Sequence, residues 1–123
     1  MSFLFGPKPS LSSATYARVP RNISDRQTLM ETLATELRLP EYFGRNWDAL
    51  EECIRDLSWL PRGPVVLVHE DVPLRPDAAS LATYLSILQD AIAKWQNSPD
   101  HKFIVVFPSE AANSVRKALA REF

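Results

Sequence analysis

Two continuous apolar runs constrain the fold of this chain more than any other feature of its sequence. Residues 65–68 (VVLV) and 103–107 (FIVVF) contain only aliphatic and aromatic side chains. Because neither run alternates between apolar and polar residues, each is typical of a strand that is buried on both faces of a parallel sheet. Between the two runs, apolar residues recur at helical spacing, namely Leu81, Leu85, Leu88, Ile92 and Trp95. The sequence therefore predicts a strand–helix–strand unit with a right-handed crossover.

Another short strand and a helix are predicted before this unit. Residues 15–19 (TYARV) contain β-branched and aromatic residues with weak alternation, which predicts a first strand. Ser24 is followed three residues later by Gln27, and this capping-box pattern predicts a helix with Ser24 as its N-cap. We expect that helix to end near Leu39, because Pro40 disfavours a helical conformation in the residue before it.

The segment 39–57 (LPEYFGRNWDALEECIRDL) predicts an aromatic loop followed by a second helix. Gly44 permits a backbone conformation that is closed to most other residues, and Asn46 is a favourable N-cap. Apolar residues then recur at helical spacing and form a stripe that faces the core: Leu50, Cys53, Ile54 and Leu57. Cys53 is the only cysteine in the chain, so we expect a buried structural thiol and no internal disulfide.

Residues 41–56 carry a local excess of negative charge. Their five carboxylates and two arginines give this segment a net charge of −3, whereas the formal net charge of the whole chain is −1. A solvated helix exterior and a binding face both explain such a pattern. Two features favour a binding face. Asp48 and Glu52 repel each other at a spacing of four residues, and bulky Tyr42 and Phe43 occupy a loop where small polar residues are usual.

The segment 39–57 resembles the barstar family, the intracellular protein inhibitors of the ribonuclease barnase. The shared pattern is Leu-Pro-Glu-Tyr-aromatic-Gly-x-Asn-x-Asp-Ala-Leu, then an acid and a cysteine. The resemblance implies an α/β fold in which a small three-stranded parallel sheet is packed by helices. It divides the chain into an irregular N-terminal arm (1–14) and a barstar-like domain (15–123), with an extra C-terminal helix after Pro108.

The resemblance also implies a mode of binding, because in barstar-like proteins the loop and the second helix plug the cleft of the nuclease. By position, Tyr42 would pack on the catalytic centre of the nuclease and Gly44 would allow close backbone approach. Asn46 would make a polar contact, and Asp48 and Glu52 would be the two principal acids. The full set of predicted partner-binding residues is Tyr42, Phe43, Gly44, Asn46, Trp47, Asp48, Glu51, Glu52 and Arg55.

Several positions depart from the family pattern. Barstar has an aspartate at the position of Glu52, a tryptophan at Glu51 and a small hydroxylated residue at Arg55. Trp47 replaces a leucine, and a late glutamate of barstar has no counterpart near Ala93. These departures concern the identity of the target more than the fold.

The implied partner is a ribonuclease with a basic cleft, either of the extracellular type or a toxin. The resemblance implies that the chain is an inhibitor without enzymatic activity, cofactor or metal, and that it is a monomer when free. A net charge of −1 gives no indication of direct nucleic-acid binding. The opening residues lack the basic region of a signal peptide, and no apolar run reaches the length of a membrane span, so we expect a cytoplasmic protein.

Two rival functions stay open at this point. The first is an interaction module that keeps the fold without inhibiting a nuclease. The second is a small hydrolase or nucleotide-binding domain that uses His69, which follows a predicted strand at the end where α/β sheets bind ligands. Because His69 and His101 are accompanied by no glycine-rich phosphate loop, metal-ligand spacing or nucleophile motif, the enzyme is the weaker rival.

Overall fold

The computed structural model describes residues 3–120, which form an α/β fold around one four-stranded sheet. The strands are β1 (Leu4–Phe5), β2 (Thr15–Val19), β3 (Gly63–His69) and β4 (His101–Phe107). Their order in the sheet is β1-β4-β3-β2, and every neighbouring pair is parallel. The parallel pairing predicted from the two apolar runs is therefore confirmed.

The prediction of a three-stranded sheet is wrong, because the N-terminal segment contributes a fourth strand. Leu4 pairs with Val106 and Phe5 pairs with Phe107 at the edge of the sheet. The rings of Phe5 and Phe107 stack with centroids 6.1 Å apart, and Phe3 packs edge-on against Phe107 at 5.5 Å. The segment predicted as an irregular arm is thus partly in the sheet. Its division from a domain 15–123 stays a prediction, and residues 1, 2 and 121–123 lie outside the described part of the chain.

Helices connect the strands and cover the sheet. They are α1 (Arg26–Glu36), α2 (Trp47–Asp56), α3 (Ala78–Trp95) and α4 (Ala112–Ala120), with a 3-10 turn (Ser109–Ala111) before α4. Helix α1 packs on β2 and α3 packs on β4, while α2 and α4 both pack on α3. The predicted C-terminal helix is therefore present after β4.

The N-terminal segment also crosses the sheet face that is turned away from the core. Thr15, Ala17 and Val19 are buried while Tyr16 is exposed, so Tyr16 lies on that opposite face. The Tyr16 hydroxyl donates to the Pro9 carbonyl at 2.8 Å and accepts from the Leu11 amide at 2.9 Å. These bonds hold residues 9–11 against β2.

The C-terminal half of α2 is fixed to the rest of the core. The buried side chains of its apolar stripe are those of Leu50, Cys53 and Ile54, and the buried Leu57 ends the helix in a left-handed conformation with φ of 48°. The indole N–H of Trp95 donates to the Ile54 carbonyl at 2.8 Å. Because the inner face of α2 is packed against the core and held by this hydrogen bond, its outer face has one fixed orientation.

Candidate partner-binding site

The start of α2 is set by the side chain predicted to cap it. Asn46 has an extended backbone, with φ of −136° and ψ of 173°, and its Oδ1 accepts a hydrogen bond from the Ala49 amide at 2.8 Å. This bond satisfies one of the amide groups that the first turn of a helix leaves unpaired. Asp48 lies in that first turn, where the partial positive charge of the helix terminus stabilises a carboxylate.

A row of three carboxylates follows one side of α2. Asp48, Glu52 and Asp56 are separated by four residues each and are all exposed, while Glu51 is half-buried and Arg55 is exposed. The ion pairs found within residues 3–120 are Arg18–Glu70, Arg62–Asp100 and Arg75–Asp71. In that part of the chain, therefore, no cation lies within ion-pairing distance of the carboxylates of α2, and they are available to a partner.

The loop before α2 turns one aromatic ring outward and the next one inward. Tyr42 is 75% exposed, whereas Phe43 is 3% exposed and belongs to the hydrophobic core. The Phe43 amide also donates to the Pro40 carbonyl at 2.9 Å, which closes the turn. Phe43 therefore anchors the loop, and the ring that a partner would meet is that of Tyr42.

Gly44 does not have the unusual backbone that its glycine suggested. The left-handed residue of the loop is Arg45, with φ of 53°, and Gly44 has a φ that other residues adopt readily. A Cβ atom at Gly44 would lie 3.4 Å from Asn46 Nδ2 and 3.7 Å from Ala49 Cβ, which are ordinary contact distances. The fold of the free chain therefore does not require glycine at position 44.

A cleft of about 240 Å³ lies between the loop and α2. Its lining residues are Tyr42, Phe43, Ala49, Glu52, Cys53 and Asp56. Burial raises the pKa of the Cys53 thiol, and the nearby carboxylates of Asp56 and Glu52 raise it further. The thiol is therefore protonated at neutral pH and contributes an apolar wall rather than a nucleophile.

Trp47 is less available than its place beside the loop suggested. Its side chain is half-buried, and its ring centroid lies 6.3 Å from that of Tyr84 on α3. Part of the indole thus fastens the first turn of α2 to α3. The remaining part is exposed next to Asp48, where a partner can reach it.

Both histidines are buried and hydrogen-bonded. Nδ1 of His69 lies 3.1 Å from the Val106 carbonyl, and Nε2 lies 2.7 Å from the Tyr84 hydroxyl. The two ring nitrogens of His101 lie 3.1 and 3.0 Å from the carbonyl oxygens of Gly63 and Leu57. These positions support structural roles for both residues.

Neither a metal site nor a membrane span is found in the part of the chain that the structure describes. Within residues 3–120, the side chains of His, Cys, Asp and Glu form no group of three that could hold a metal ion. Over the same residues, every helix is too short or too polar to cross a bilayer.

The cleft contains three of the predicted partner-binding residues, Tyr42, Phe43 and Glu52, and three residues outside that set. Ala49, Cys53 and Asp56 line the cleft but were not predicted to bind a partner. The spacing of four residues between Glu52 and Asp56 could have indicated that Asp56 lies on the same side of the helix. The sequence gave no such indication for Ala49 and Cys53. Their place in the lining depends on how the loop folds back over the helix.

Comparison with known proteins gives a family match that covers most of the chain. A family model described as Barstar (barnase inhibitor) matches residues 19–108. A search of curated proteins finds no significant match. The matched segment includes the loop, α2 and the cleft, and it ends immediately before the 3-10 turn that precedes α4.

Proposed function

The chain belongs to the barstar family, and we propose that it is an intracellular protein inhibitor of a ribonuclease. In this proposal, the loop around Tyr42 and the outer face of α2 plug the basic active-site cleft of the enzyme. The observation that carries the proposal is the position of a 75% exposed tyrosine beside a row of carboxylates without ion-pair partners in residues 3–120.

The chemistry of ribonucleases explains why such a face would inhibit them. Their substrate is a polyanion, so their clefts are lined with cations placed to bind phosphates. Carboxylates on a rigid helix can occupy the phosphate positions and form charge-assisted hydrogen bonds with the same cations. Asp48 and Glu52 are the acids that we assign to this role. Their charge would also accelerate encounter with the enzyme in a salt-dependent manner.

Other residues of the face contribute in different ways. Tyr42 packs on the catalytic centre, and Gly44 lets the nuclease approach the backbone of the loop closely. Asn46 makes a polar contact in addition to capping α2, and the exposed part of Trp47 packs at the rim. Phe43 supports the loop from the core.

Glu51 and Arg55 define the identity of the target. Glu51 adds a half-buried acid, while Arg55 places a cation on a face that is otherwise acidic. Arg55 forms no ion pair within residues 3–120, and we propose that it meets an acidic residue of the nuclease. The target therefore combines a basic cleft with at least one acid at its edge.

The proposed partner is a toxin or extracellular-type ribonuclease made by the same cell, against which the inhibitor protects the cytoplasm. The chain is a monomer before it binds and has no enzymatic activity, as the family description of an inhibitor suggests. Its acidic face would repel nucleic acid, so we propose no direct contact with RNA.

Capture of the partner from a lysate of the native cell tests this proposal. The tagged chain is used as bait at low and high salt, and ribonuclease activity is assayed in each eluate. We expect a nuclease that is inactive in the complex and regains activity when high salt releases it. The Asp48→Ala/Glu52→Ala double variant serves as the control bait and should not retain the nuclease.

A direct assay with barnase complements the capture experiment, since the family description names that enzyme. If the captured protein has no nuclease activity and barnase is not inhibited, the chain is an interaction module with a barstar-like fold.

A further inference from the structure

We propose that the buried Tyr84 is a positioning residue of the partner-binding face, and that His69 holds it in place. In this proposal, Tyr84 fixes the first turn of α2 through Trp47, and that turn carries Asp48. The proposal rests on the proposed function, because the affinity that the pair supports is the affinity for the ribonuclease. It adds to the determinants of binding two core residues that no partner touches.

Helix α2 is attached to α3 near both of its ends, but by different interactions. In the C-terminal half of α2, the indole N–H of Trp95 donates to the Ile54 carbonyl at 2.8 Å. At the N-terminal end, the rings of Tyr84 and Trp47 are in contact, with centroids 6.3 Å apart and planes inclined by 35°. Tyr84 and Trp95 are separated by about three helical turns, so they lie on the same face of α3. The first turn of α2 is therefore held by an aromatic contact, whose geometry depends on how the Tyr84 ring is oriented.

The orientation of the Tyr84 ring is fixed at its hydroxyl end by His69. The hydroxyl lies 2.7 Å from Nε2 of His69 in the core. His69 is itself held on two sides, because its ring stacks on that of Phe107 at a centroid distance of 4.1 Å and its Nδ1 lies 3.1 Å from the Val106 carbonyl. Without the bond between Tyr84 and His69, packing alone would orient the tyrosine ring, and a buried ring nitrogen would lose its partner.

The first turn of α2 transmits this orientation to the binding face. The side chain of Asn46 caps the turn, and its carbonyl accepts from the Leu50 amide at 2.9 Å. These bonds shape the turn without orienting it against α3, which is left to the burial of Leu50 and to the contact of Trp47 with Tyr84. Asp48 directly follows Trp47, so a fixed indole gives a fixed starting point for the carboxylate. A group that is already oriented loses less freedom when a partner binds, and the affinity is correspondingly higher.

Hydrogen exchange in the free protein tests the positioning role without a nuclease. Tyr84→Phe keeps the aromatic ring and removes the bond to His69. We expect the Leu50 amide, at the start of α2, to exchange about fivefold faster than in the wild type, as the loss of one buried hydrogen bond predicts. The Leu57 amide, which donates to the Cys53 carbonyl at the other end of the helix, should change by less than about twofold. Equal acceleration at both ends would show a general loss of stability and would overturn the proposal.

Tyr16→Phe is the matched control, because it also removes a hydrogen-bonded tyrosine hydroxyl. Its partners are the Pro9 carbonyl and the Leu11 amide, on the sheet face that is turned away from the core. Tyr16→Phe should leave the exchange of both α2 amides unchanged and should bind the nuclease like the wild type. Tyr84→Phe should bind a nuclease that the wild type inhibits about three- to tenfold more weakly. An equal loss of binding in both variants would show that Tyr84 has no special role.

A double-mutant cycle shows whether Tyr84 acts through the first turn of α2. When Asp48 is already alanine, Tyr84→Phe should weaken nuclease binding by less than about twofold, because the group that it orients is gone. The same loss with and without the Asp48 carboxylate would overturn the proposal.

The failure of this proposal can be told from the failure of the proposed function. Binding of the nuclease by Tyr84→Phe with wild-type affinity would remove the positioning role and leave the inhibitor intact. If the wild type inhibits no nuclease, the proposed function fails. Faster exchange confined to the Leu50 amide would then still support the positioning of the first turn by Tyr84.

Discussion

The Tyr84 hydroxyl lies 2.7 Å from Nε2 of His69 in the core, between α3 and the end of β3. A carbonyl oxygen can only accept, so the bond between Nδ1 of His69 and the Val106 carbonyl places the proton on Nδ1. Nε2 then accepts from the tyrosine. Because the Tyr84 ring also contacts Trp47, this buried pair supports the first turn of α2 on the side that faces the core.

The buried pair predicts that the protein loses stability in weak acid. Burial lowers the pKa of His69 from 6.5 to about 3, so the unfolded chain binds more protons than the folded chain between these values. The contribution of the neutral His69 to stability is therefore fully present above pH 6.5. The free energy of unfolding then decreases by about 1.4 kcal/mol per pH unit as the pH falls below that value. Chemical denaturation at several pH values measures this slope.

The effect of His69 on stability can be separated from the effects of carboxyl groups only above about pH 4.5. The pKa values of Glu70, Asp71 and Asp77 are also lowered, chiefly by hydrogen bonds to Arg18, Arg75 and Ser80. Protonation of these carboxyl groups lowers the free energy of unfolding further in stronger acid. A His69→Gln variant should lose the slope between pH 6.5 and 4.5, whatever its absolute stability. A slope that persists in this variant would assign the effect to another group.

Sequence patterns predicted the parts of the fold that depend on local chemistry. The non-alternating runs identified β3 and β4, and Asn46 caps α2 as expected. The capping-box prediction for α1 is wrong, because Asp25 is the N-cap and no side-chain capping bond forms. Ser24 and Asp25 are adjacent and both are common N-caps, so residue preference could not decide between them.

Features that depend on tertiary packing could not be predicted. Strand β1 contains two residues, which is too short for any periodicity, and its place is fixed by the packing of its aromatics on Phe107. The sequence also gave no indication that Phe43 turns inward while Tyr42 stays exposed. That difference creates the cleft beside α2, so the candidate site was predicted as a set of residues but not as a shape.

Alanine substitutions at two glycines should separate effects on stability from effects on binding. Gly63 has φ of 129°, and a Cβ atom there would lie 2.5 Å from the Ser13 carbonyl oxygen. Gly63→Ala should therefore lower the free energy of unfolding by more than about 2 kcal/mol. Gly44→Ala should leave stability within about 0.5 kcal/mol of the wild type, because neither its φ nor its neighbours exclude a methyl group.

Gly44→Ala should weaken nuclease binding even though it changes the stability of the free protein little. If the partner approaches the loop backbone closely, the added methyl group weakens inhibition although the fold is intact. Thermal unfolding and inhibition assays on both variants test this expectation. A stable Gly44→Ala protein that inhibits like the wild type would place the partner elsewhere.

Asp48 and Glu52 are predicted to be the energetic centre of the interface. Asp48→Ala and Glu52→Ala should each weaken nuclease binding by more than about 2 kcal/mol, the usual threshold of a hot spot. Removal of one carboxylate leaves partner cations buried without a counter-charge, which costs more than the lost contact. Both residues are exposed, so the thermal midpoints of the free variants should change little. Affinity for the captured nuclease provides the measurement, with Glu110→Gln as the control.

Tyr42→Ala should also weaken nuclease binding, but by a mechanism that salt can distinguish. The tyrosine is 75% exposed in the free protein, so truncation should change its stability by less than about 0.5 kcal/mol. In the complex, the ring is expected to lose its contact with water and to pack on the enzyme, which makes tyrosine a frequent hot spot. Because the change removes no charge, the dependence of affinity on salt should match that of the wild type.

Affinity measured at two salt concentrations tests the role of the ring. Glu52→Ala should bind with a reduced salt dependence, while Tyr42→Phe should retain most of the affinity because it keeps the aromatic ring. If Tyr42→Ala and Glu52→Ala both bind like the wild type and substitutions on another surface abolish binding, the loop and α2 are not the interface. The acidic face would then be a solvated helix exterior.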